Sequence, residues 1–334
     1  MKVLLVSQTE IAQLLRMPDC IDLMEDALKA LATGDASMPL RQVVWLPDRR
    51  GVLAVMPSLF SAREAMGVKV ISVFPGNHGT PFDAHQGAVL LFETEHGQLL
   101  AIMDASEITA IRTAAVSGVA TRLLARQNSS RLGILGSGVQ ARTHLEAMLA
   151  VRQISQAIVW SRNFDNAEKF AARASARHGI AVTAVKAARE AVQNADIVCT
   201  TTSSVDPVLE GSWLLPGTHI NAAGAYGANA RELDSQAVAR SRLYVDRKES
   251  TLNESGDYLI PLKEGAIQPD HIRGELGEVL LNKVRGREND AEITLFKSMG
   301  LAIEDLAAAH FIYRKAKETG RGQQIDFGGE RHDP

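Results

Sequence analysis

Cysteine is scarce in this chain of 334 residues, and long apolar runs are missing. The two cysteines, Cys20 and Cys199, lie far apart without a C-x-x-C pair. This argues against a disulfide framework or a zinc site and suits a reducing compartment. No run approaches the ~18 apolar residues that a membrane span needs. A net charge of −3 gives no sign of a nucleic-acid surface.

The first residues carry no recognisable export signal. Met1, Lys2 and a short VLLV are followed by SQTEIAQLL rather than by a longer apolar region with a small-residue cleavage site. We therefore expect a cytoplasmic protein. Its composition, 46% hydrophobic and 22% charged, is that of an ordinary globular protein. Its length favours two domains.

The first third mixes helical and β-rich patterns. SQTE at its start fits a capping box, and apolar residues then recur at helical spacing up to Gly34. Segments from PLRQVVWLP to AVLLFETEHGQLLAIMD indicate strands separated by turns. They predict a largely antiparallel sheet packed on the N-terminal helices. Residues 105–127 predict a helix that leads out of this domain.

From Arg131 onward, short apolar strands alternate with helices. Such alternation predicts a parallel sheet covered on both faces, a doubly wound α/β domain. The segment ITLFKS is expected as the last strand, closing the sheet near Gly300. The helix after Gly300 is predicted to return to the first domain. The polar tail RGQQIDFGGERHDP is predicted to be mobile.

A glycine-rich turn joins the first of these strands to a helix. Gly136, Gly138 and Ala141 form G-x-G-x-x-A. The first glycine permits the turn, the second lets the backbone approach a pyrophosphate, and the small third residue lets helix and strand pack closely. The helix N-terminus supplies N–H groups to the phosphates. The pattern indicates a dinucleotide site, the alternative being a tight turn of structural use alone.

The end of the second strand bears on the choice of dinucleotide. Ser161 stands ~20 residues after the glycines, where an acidic residue would bind the ribose of NAD. The Ser161 hydroxyl and the Arg162 guanidinium suit a 2′-phosphate instead. We therefore predict a preference for NADP(H) over NAD(H). In the alternative, Arg162 is a solvated loop residue and Asp165 reaches the ribose.

Four segments together resemble the ornithine cyclodeaminase/μ-crystallin family. They are MPSLFSAREAMGVKVISVFPGN, ITAIRTAAVSGVAT, LGILGSGVQA and TLFKSMGLAIEDLAAA. The resemblance implies a Rossmann NAD(P)-binding domain over 119–301. It also implies an α+β domain for substrate binding and dimerisation from 1–118 and 302–334, and a homodimer formed through the sheets of that domain.

The resemblance also implies the chemistry, in which a hydride passes between a nicotinamide and the α-carbon of an amino acid or its imine. Arg41, Lys69 and Arg112 match the positions of the substrate-carboxylate clamp, and Lys69 is a candidate acid or base. By pattern alone, Arg41 and Lys69 are as well explained as charges facing water. Arg112 lies on a mostly apolar helix, where an unpaired charge is costly.

Further cofactor contacts are implied along the same match. They are Thr113, Val139, Gln140, Thr201, Thr202, Ala223, Ser298 and Gly300. Each has a structural alternative, such as a helix-surface threonine, a polar strand exit or a helix cap. His78, His85 and Cys199 are assigned to turns or packing, because no spacing supports a metal.

One position departs from the cyclodeaminases of the family. Tyr226 stands where they place an aspartate as base, and a phenol with a pKa near ~10 is a poor base at neutral pH; Asp234 is expected on the next helix. We therefore expect NAD(P)H-dependent reduction of an α-imino acid or cyclic ketimine, such as a Δ1-pyrroline-2-carboxylate-like compound, with Lys69 or Tyr226 keeping the imine protonated. The alternatives are amino acid dehydrogenation, ornithine cyclisation, a hydroxyproline-type dehydration, and a binding protein without turnover.

Overall fold

A computed structural model describes residues 2–77 and 79–329. The chain divides into two compact units, one of Met1–Arg112 with Leu301–Pro334 and one of Thr113–Gly300. His78, assigned above to a turn or to packing, lies outside the described residues.

Strands and α-helices are numbered in chain order. The strands are β1 (Lys2–Val6), β2 (Ala36–Ser37), β3 (Gln42–Trp45), β4 (Val52–Phe60), β5 (Ala65–Val73), β6 (His85–Glu93), β7 (Leu99–Asp104), β8 (Arg131–Leu135), β9 (Gln156–Trp160), β10 (Ala181–Val185), β11 (Ile197–Thr200), β12 (His219–Ala222), β13 (Arg242–Val245), β14 (Ile272–Glu275), β15 (Thr294–Lys297) and β16 (Gln323–Asp326). The α-helices are α1 (Gln8–Leu14), α2 (Met17–Thr33), α3 (Ala105–Leu124), α4 (Val139–Val151), α5 (Phe164–His178), α6 (Ala188–Val192), α7 (Ser235–Ala239), α8 (Lys248–Glu254), α9 (Gly256–Lys263), α10 (Leu276–Leu280) and α11 (Ala302–Thr319).

The first unit is built on one sheet, with strand order β16-β1-β7-β6-β5-β4-β2 and β3 paired to β4. All pairs are antiparallel except β1 with β7, so the predicted antiparallel sheet is confirmed. The capping box is also present, because the Ser7 N–H donates to the Glu10 carboxylate at 3.0 Å. Helix α11 packs on β4, β5 and β6 and against α2. Alternate residues of β5 therefore point into a buried layer.

The prediction that the polar tail is mobile is wrong for part of its length. Gln323–Asp326 forms β16, which pairs antiparallel with β1. The polar sequence concealed this strand, because its partner is the N-terminal strand rather than a neighbour in the chain. Backbone N–H and C=O groups at the open edge of β1 need hydrogen-bond partners. The backbone of a polar segment provides these partners as well as that of an apolar one.

The second unit is a Rossmann-type parallel sheet with strand order β10-β9-β8-β11-β12-β15-β13-β14. The order runs outward from β8 in both directions, which creates a switch point between β8 and β11. The expected strand at ITLFKS is β15, but it lies inside the sheet between β12 and β13. The edge is β14, a short strand of sequence IRGE that the alternation pattern did not reveal. Among the described helices, none is long and apolar enough to cross a membrane.

Candidate functional site

The glycine loop has the geometry that its sequence predicts. Gly136 has φ 121°, and a Cβ there would lie 2.6 Å from the Thr201 hydroxyl oxygen, so only glycine fits. Gly138 is the N-cap of α4, and a Cβ there would meet nothing within 4 Å. Ala141 is fully buried. The backbone at Gly138 therefore faces open space at a helix N-terminus, where an anionic group binds well.

Candidate cofactor residues follow the carboxyl ends of adjacent parallel strands. Thr201 and Thr202 follow β11, Ala223 follows β12, and Ser298 follows β15. Because these strands follow β8 in the parallel order β8-β11-β12-β15, their ends lie at one edge of the sheet together with the glycine loop. Val139 and Gln140 open α4, Thr113 is buried on α3, and Gly300 donates its N–H to Asp246 at 2.8 Å.

The end of β9 holds the residues proposed to read the ribose. The Ser137 hydroxyl donates to the Ser161 hydroxyl at 3.0 Å, which ties Ser161 to the glycine loop. Arg162 is exposed. Asp165 is also exposed, in the first turn of α5, where its backbone N–H donates to the Asn163 side chain.

A buried carboxylate that sequence reasoning missed joins two of these strand ends. Glu232 is fully buried and accepts five hydrogen bonds from groups at the ends of β11 and β12 and just beyond them. The donors are the Thr200 hydroxyl, the Thr202 N–H and hydroxyl, and the N–H groups of Gly224 and Ala225, at 2.6–3.3 Å. Glu232 stands in an irregular loop, so periodicity gave no signal of this role.

Two further charges complete this cluster. The Asp257 carboxylate accepts the N–H groups of Glu232 and Leu233 and forms an ion pair with Lys297 at 2.9 Å. Lys297 also donates to the Ala225 carbonyl at 2.6 Å. Burial, and then the charge of Asp257, raise the pKa of Glu232. Three of the five donors are backbone N–H groups, which can only donate, so Glu232 supplies the acceptor oxygens of this cluster.

The first unit holds a second buried cluster, formed by Lys69 on β5, Arg112 on α3, and Glu304 and Asp305 on α11. Lys69 Nζ lies 2.7 Å from Asp305 Oδ2. Arg112 Nε donates to Asp305 Oδ1 and its Nη1 to Glu304 Oε2, each at 2.9 Å. All four residues are buried, with Lys69 3% and Arg112 4% exposed.

This cluster decides between the alternatives for Lys69. The side chain does not face water, because alternation along β5 directs it into the buried layer. Burial lowers the pKa of Lys69 to about 8, the charge of Asp305 opposes that shift, and Arg112 adds to it. Arg41 directly precedes the edge strand β3, is half-buried, and its charge also lowers the pKa of Lys69.

The substrate-carboxylate clamp expected from the sequence did not include internal partners for its cations. Glu304 and Asp305 balance Lys69 and Arg112, so their charges are paired within the fold. A signal for this was present, since the two acids interrupt a helix that is otherwise apolar from Leu301 to Ala309. Adjacent charges in such a stretch require buried partners.

The remaining predicted residues lie outside both clusters. Tyr226 is 44% exposed in the loop after β12. Asp234 is the N-cap of α7, as its sequence position suggested, and accepts the Ala237 N–H at 2.7 Å. His85 begins β6 and Cys199 is buried in β11.

The described residues contain one grouping with metal-ligand proximity, Glu93, Glu95 and His96. It lies on the turn between β6 and β7. There the Glu93 carboxylate accepts the N–H groups of His96 and Gln98. These bonds give the turn residues a structural role.

The Glu232 geometry predicts that Glu232→Gln lowers the free energy of unfolding at pH 8 by about 2–3 kcal/mol, because an amide NH₂ would face hydrogen-bond donors. Urea denaturation followed by circular dichroism measures the change. The exposed Glu190→Gln, on α6, is the matched control. A Glu232→Gln loss no larger than that of the control would contradict the prediction.

The comparisons with known proteins agree along the whole chain. The sequence profile of the ornithine cyclodeaminase/mu-crystallin family matches residues 1–320. A Δ1-pyrroline-2-carboxylate reductase of Bacillus cereus is 38% identical over 97% of this chain and 100% of that protein.

Two solved structures are similar throughout. The Δ1-pyrroline-2-carboxylate reductase of Thermococcus litoralis, in complex with NADH and L-proline, is 45% identical with a TM-score of 0.95, over 97% of this chain and 100% of that one. An archaeal alanine dehydrogenase dimer with bound NAD is 34% identical with a TM-score of 0.92, over 98% and 100% of the respective chains. With its Rossmann sheet, glycine loop and full-length match, this chain belongs to the ornithine cyclodeaminase/mu-crystallin family.

Proposed function

We propose that the protein is an NAD(P)H-dependent reductase that converts cyclic ketimines of the Δ1-pyrroline-2-carboxylate type to L-amino acids. The observation that carries the proposal is the buried pair of cations, Lys69 and Arg112, held by Asp305 in a chain with a dinucleotide loop. The reductases of Bacillus cereus and Thermococcus litoralis, whose names give this substrate, match nearly the whole chain.

In this reaction, hydride from the reduced nicotinamide forms a C–H bond at the imine carbon, and the imine nitrogen gains a proton. Arg112 and Arg41 bind the substrate carboxylate and orient the α-carbon. The N–H groups at Gly138 and the start of α4 hold the pyrophosphate.

Lys69 is the proposed proton donor to the imine. With a pKa of about 8 it carries its proton at neutral pH, and this value lies close enough to neutrality for efficient proton transfer. A protonated imine accepts hydride more readily, because the electron pair of the C=N bond moves to nitrogen.

Tyr226 favours reduction over cyclisation. Ornithine cyclisation needs a base to free the δ-amine, and the exposed phenol of Tyr226 stands at the position of that base. A phenol donates a hydrogen bond to the substrate but removes a proton poorly at neutral pH.

The activity is tested by oxidation of NADPH or NADH, followed by absorbance, with a panel of cyclic and open-chain imines at pH 6 and pH 7.5. We expect turnover with cyclic imino acids. Arg112→Lys should lower kcat/KM by roughly 100-fold, because it keeps the charge but loses the guanidinium fork. Arg16→Lys, on the surface, is the control. No oxidation with any imine at either pH would refute the proposal.

The proposed preference for NADP(H) rests on Ser161 and Arg162. Ser161 follows β9 at the position where a carboxylate would repel a 2′-phosphate, and Arg162 is exposed next to it. The two solved relatives carry NADH and NAD. The NADP(H) preference is therefore proposed from the residues of this chain and not from these relatives.

We expect the Kd of NADPH to be roughly tenfold lower than that of NADH, the effect of one charge-assisted hydrogen bond. Quenching of intrinsic fluorescence measures both constants. Arg162→Ala should remove most of the difference, and Arg189→Ala, on exposed α6, should preserve it. Tighter binding of NADH by the wild-type protein would show that the preference is reversed.

We also propose that the protein forms a homodimer through the outer face of the sheet in its first unit. On β4 and β5 the inner residues are buried, while the outer ones, apart from Ser72, are apolar yet partly exposed. These outer residues are Leu53, Val55, Pro57, Leu59, Met66, Val68 and Val70. Cross-strand pairing makes them contiguous, and Val44 on β3 lies beside Leu53 and is 69% exposed. A contiguous apolar face of this kind marks an interface, and the archaeal alanine dehydrogenase neighbour is a dimer.

Leu53→Glu is expected to shift the protein from dimer to monomer at micromolar concentration, because it places two charges in the proposed interface. Sedimentation velocity measures the change. The control is Leu252→Glu, which alters a residue that is 46% exposed in the second unit. A dimer unaffected by Leu53→Glu, or equally weakened by the control, would exclude this face.

A further inference from the structure

We propose that Asp305 is a positioning residue for this reaction, whose single carboxylate fixes the spacing of Lys69 and Arg112 and retains the proton on Lys69. The proposal deepens the function proposed above and rests on it. In this role Asp305 acts through the two cations and does not itself contact the substrate or the cofactor.

The geometry shows one carboxylate shared between two cations. Asp305 Oδ1 accepts from Arg112 Nε at 2.9 Å, and Oδ2 lies 2.7 Å from Lys69 Nζ. The three side chains come from β5, α3 and α11 and are at most 4% exposed. In such a buried setting an ion pair defines position, because a displaced charge has no water to replace its partner.

Glu304, the neighbouring acid, is oriented differently. Its carboxylate accepts from Arg112 Nη1 at 2.9 Å and from the Leu301 N–H at 3.1 Å, which caps the start of α11. Lys69 forms its ion pair with Asp305. The two adjacent acids therefore have different partners. Glu304 binds Arg112 and the start of α11, and Asp305 binds both Arg112 and Lys69.

The polar and charged groups that interact with Lys69 are Thr109 and Arg112 on α3, Asp305 on α11, and Arg41 before β3. Burial and the two arginines lower the pKa of Lys69, whereas Asp305 raises it. Burial also opposes ionisation of Asp305, yet Arg112 and Lys69 hold its pKa below the usual value. Asp305 therefore remains an anion while Lys69 gives up its proton.

The proton step balances without a further reactant. One Nζ–H bond of Lys69 breaks as the N–H bond of the product forms, and hydride from the nicotinamide supplies the new C–H bond. Neutral Lys69 then takes a proton from solvent. Asp305 keeps its charge throughout, so it raises the pH above which Lys69 has lost its proton.

Asp305→Asn tests this role. Removal of the anion should lower the pKa of Lys69 by about one unit or more, the usual effect of an opposite charge at this distance. The fall of kcat/KM at high pH should move to lower pH by the same amount. The ¹³Cε titration of labelled lysines, with Lys69 assigned by Lys69→Arg, measures the pKa directly. Asp48→Asn, at an exposed position of the same unit, is the control.

Asp305→Glu is the second variant, because it retains the charge but alters the spacing. We expect its Lys69 titration to stay close to that of the wild type while kcat falls. A purely structural role would lower the unfolding temperature in both variants without moving the titration.

An unshifted or raised Lys69 titration in Asp305→Asn would overturn the proposal. If Asp305→Asn does not fold, a downward shift of Lys69 in Asp305→Glu would overturn it instead. Absence of imine reduction by the wild-type protein would refute the proposed function alone, because the lysine titration still reports on Asp305.

Discussion

The fold of the first unit buries charged side chains, and these charges must be paired within the protein. β-Strand alternation turns Lys69 inward, and the apolar face of α3 brings Arg112 into the same layer. Two isolated cations there would destabilise the fold, and Glu304 and Asp305 remove that penalty. The same ion pairs fix the positions of the cations. A constraint on stability thus becomes a constraint on the positions of Lys69 and Arg112.

In the second unit, the buried groups that need partners include backbone N–H groups. The ends of β11 and β12 leave N–H and hydroxyl donors in a buried loop region, and the Glu232 carboxylate accepts five of them. Asp257 and Lys297 then hold the backbone around Glu232. These hydrogen bonds link the loops that carry Thr202 and Ala223 to Glu232.

Local patterns were sufficient for much of the fold. The capping box at Ser7, the helix at α3 and the parallel arrangement after Arg131 follow from spacing within a few residues. The errors arose where a strand is defined by a distant partner. β16 pairs with β1 across nearly the whole chain, and β14 is too short and polar to show a strand pattern.

The glycine loop, the two fold classes and the family could be predicted from the amino-acid sequence, because turn chemistry and periodicity are local and the matching segments are specific. The sequence also singled out Lys69 and Arg112. The partners of these cations became known from the folded structure, since Asp305 lies 193 positions from Arg112. Glu232 became visible as a centre of five hydrogen bonds only when β11 and β12 were brought side by side. Which buried charges and hydrogen-bond donors become partners depends on their positions in the folded structure, and spacing along the chain does not predict it.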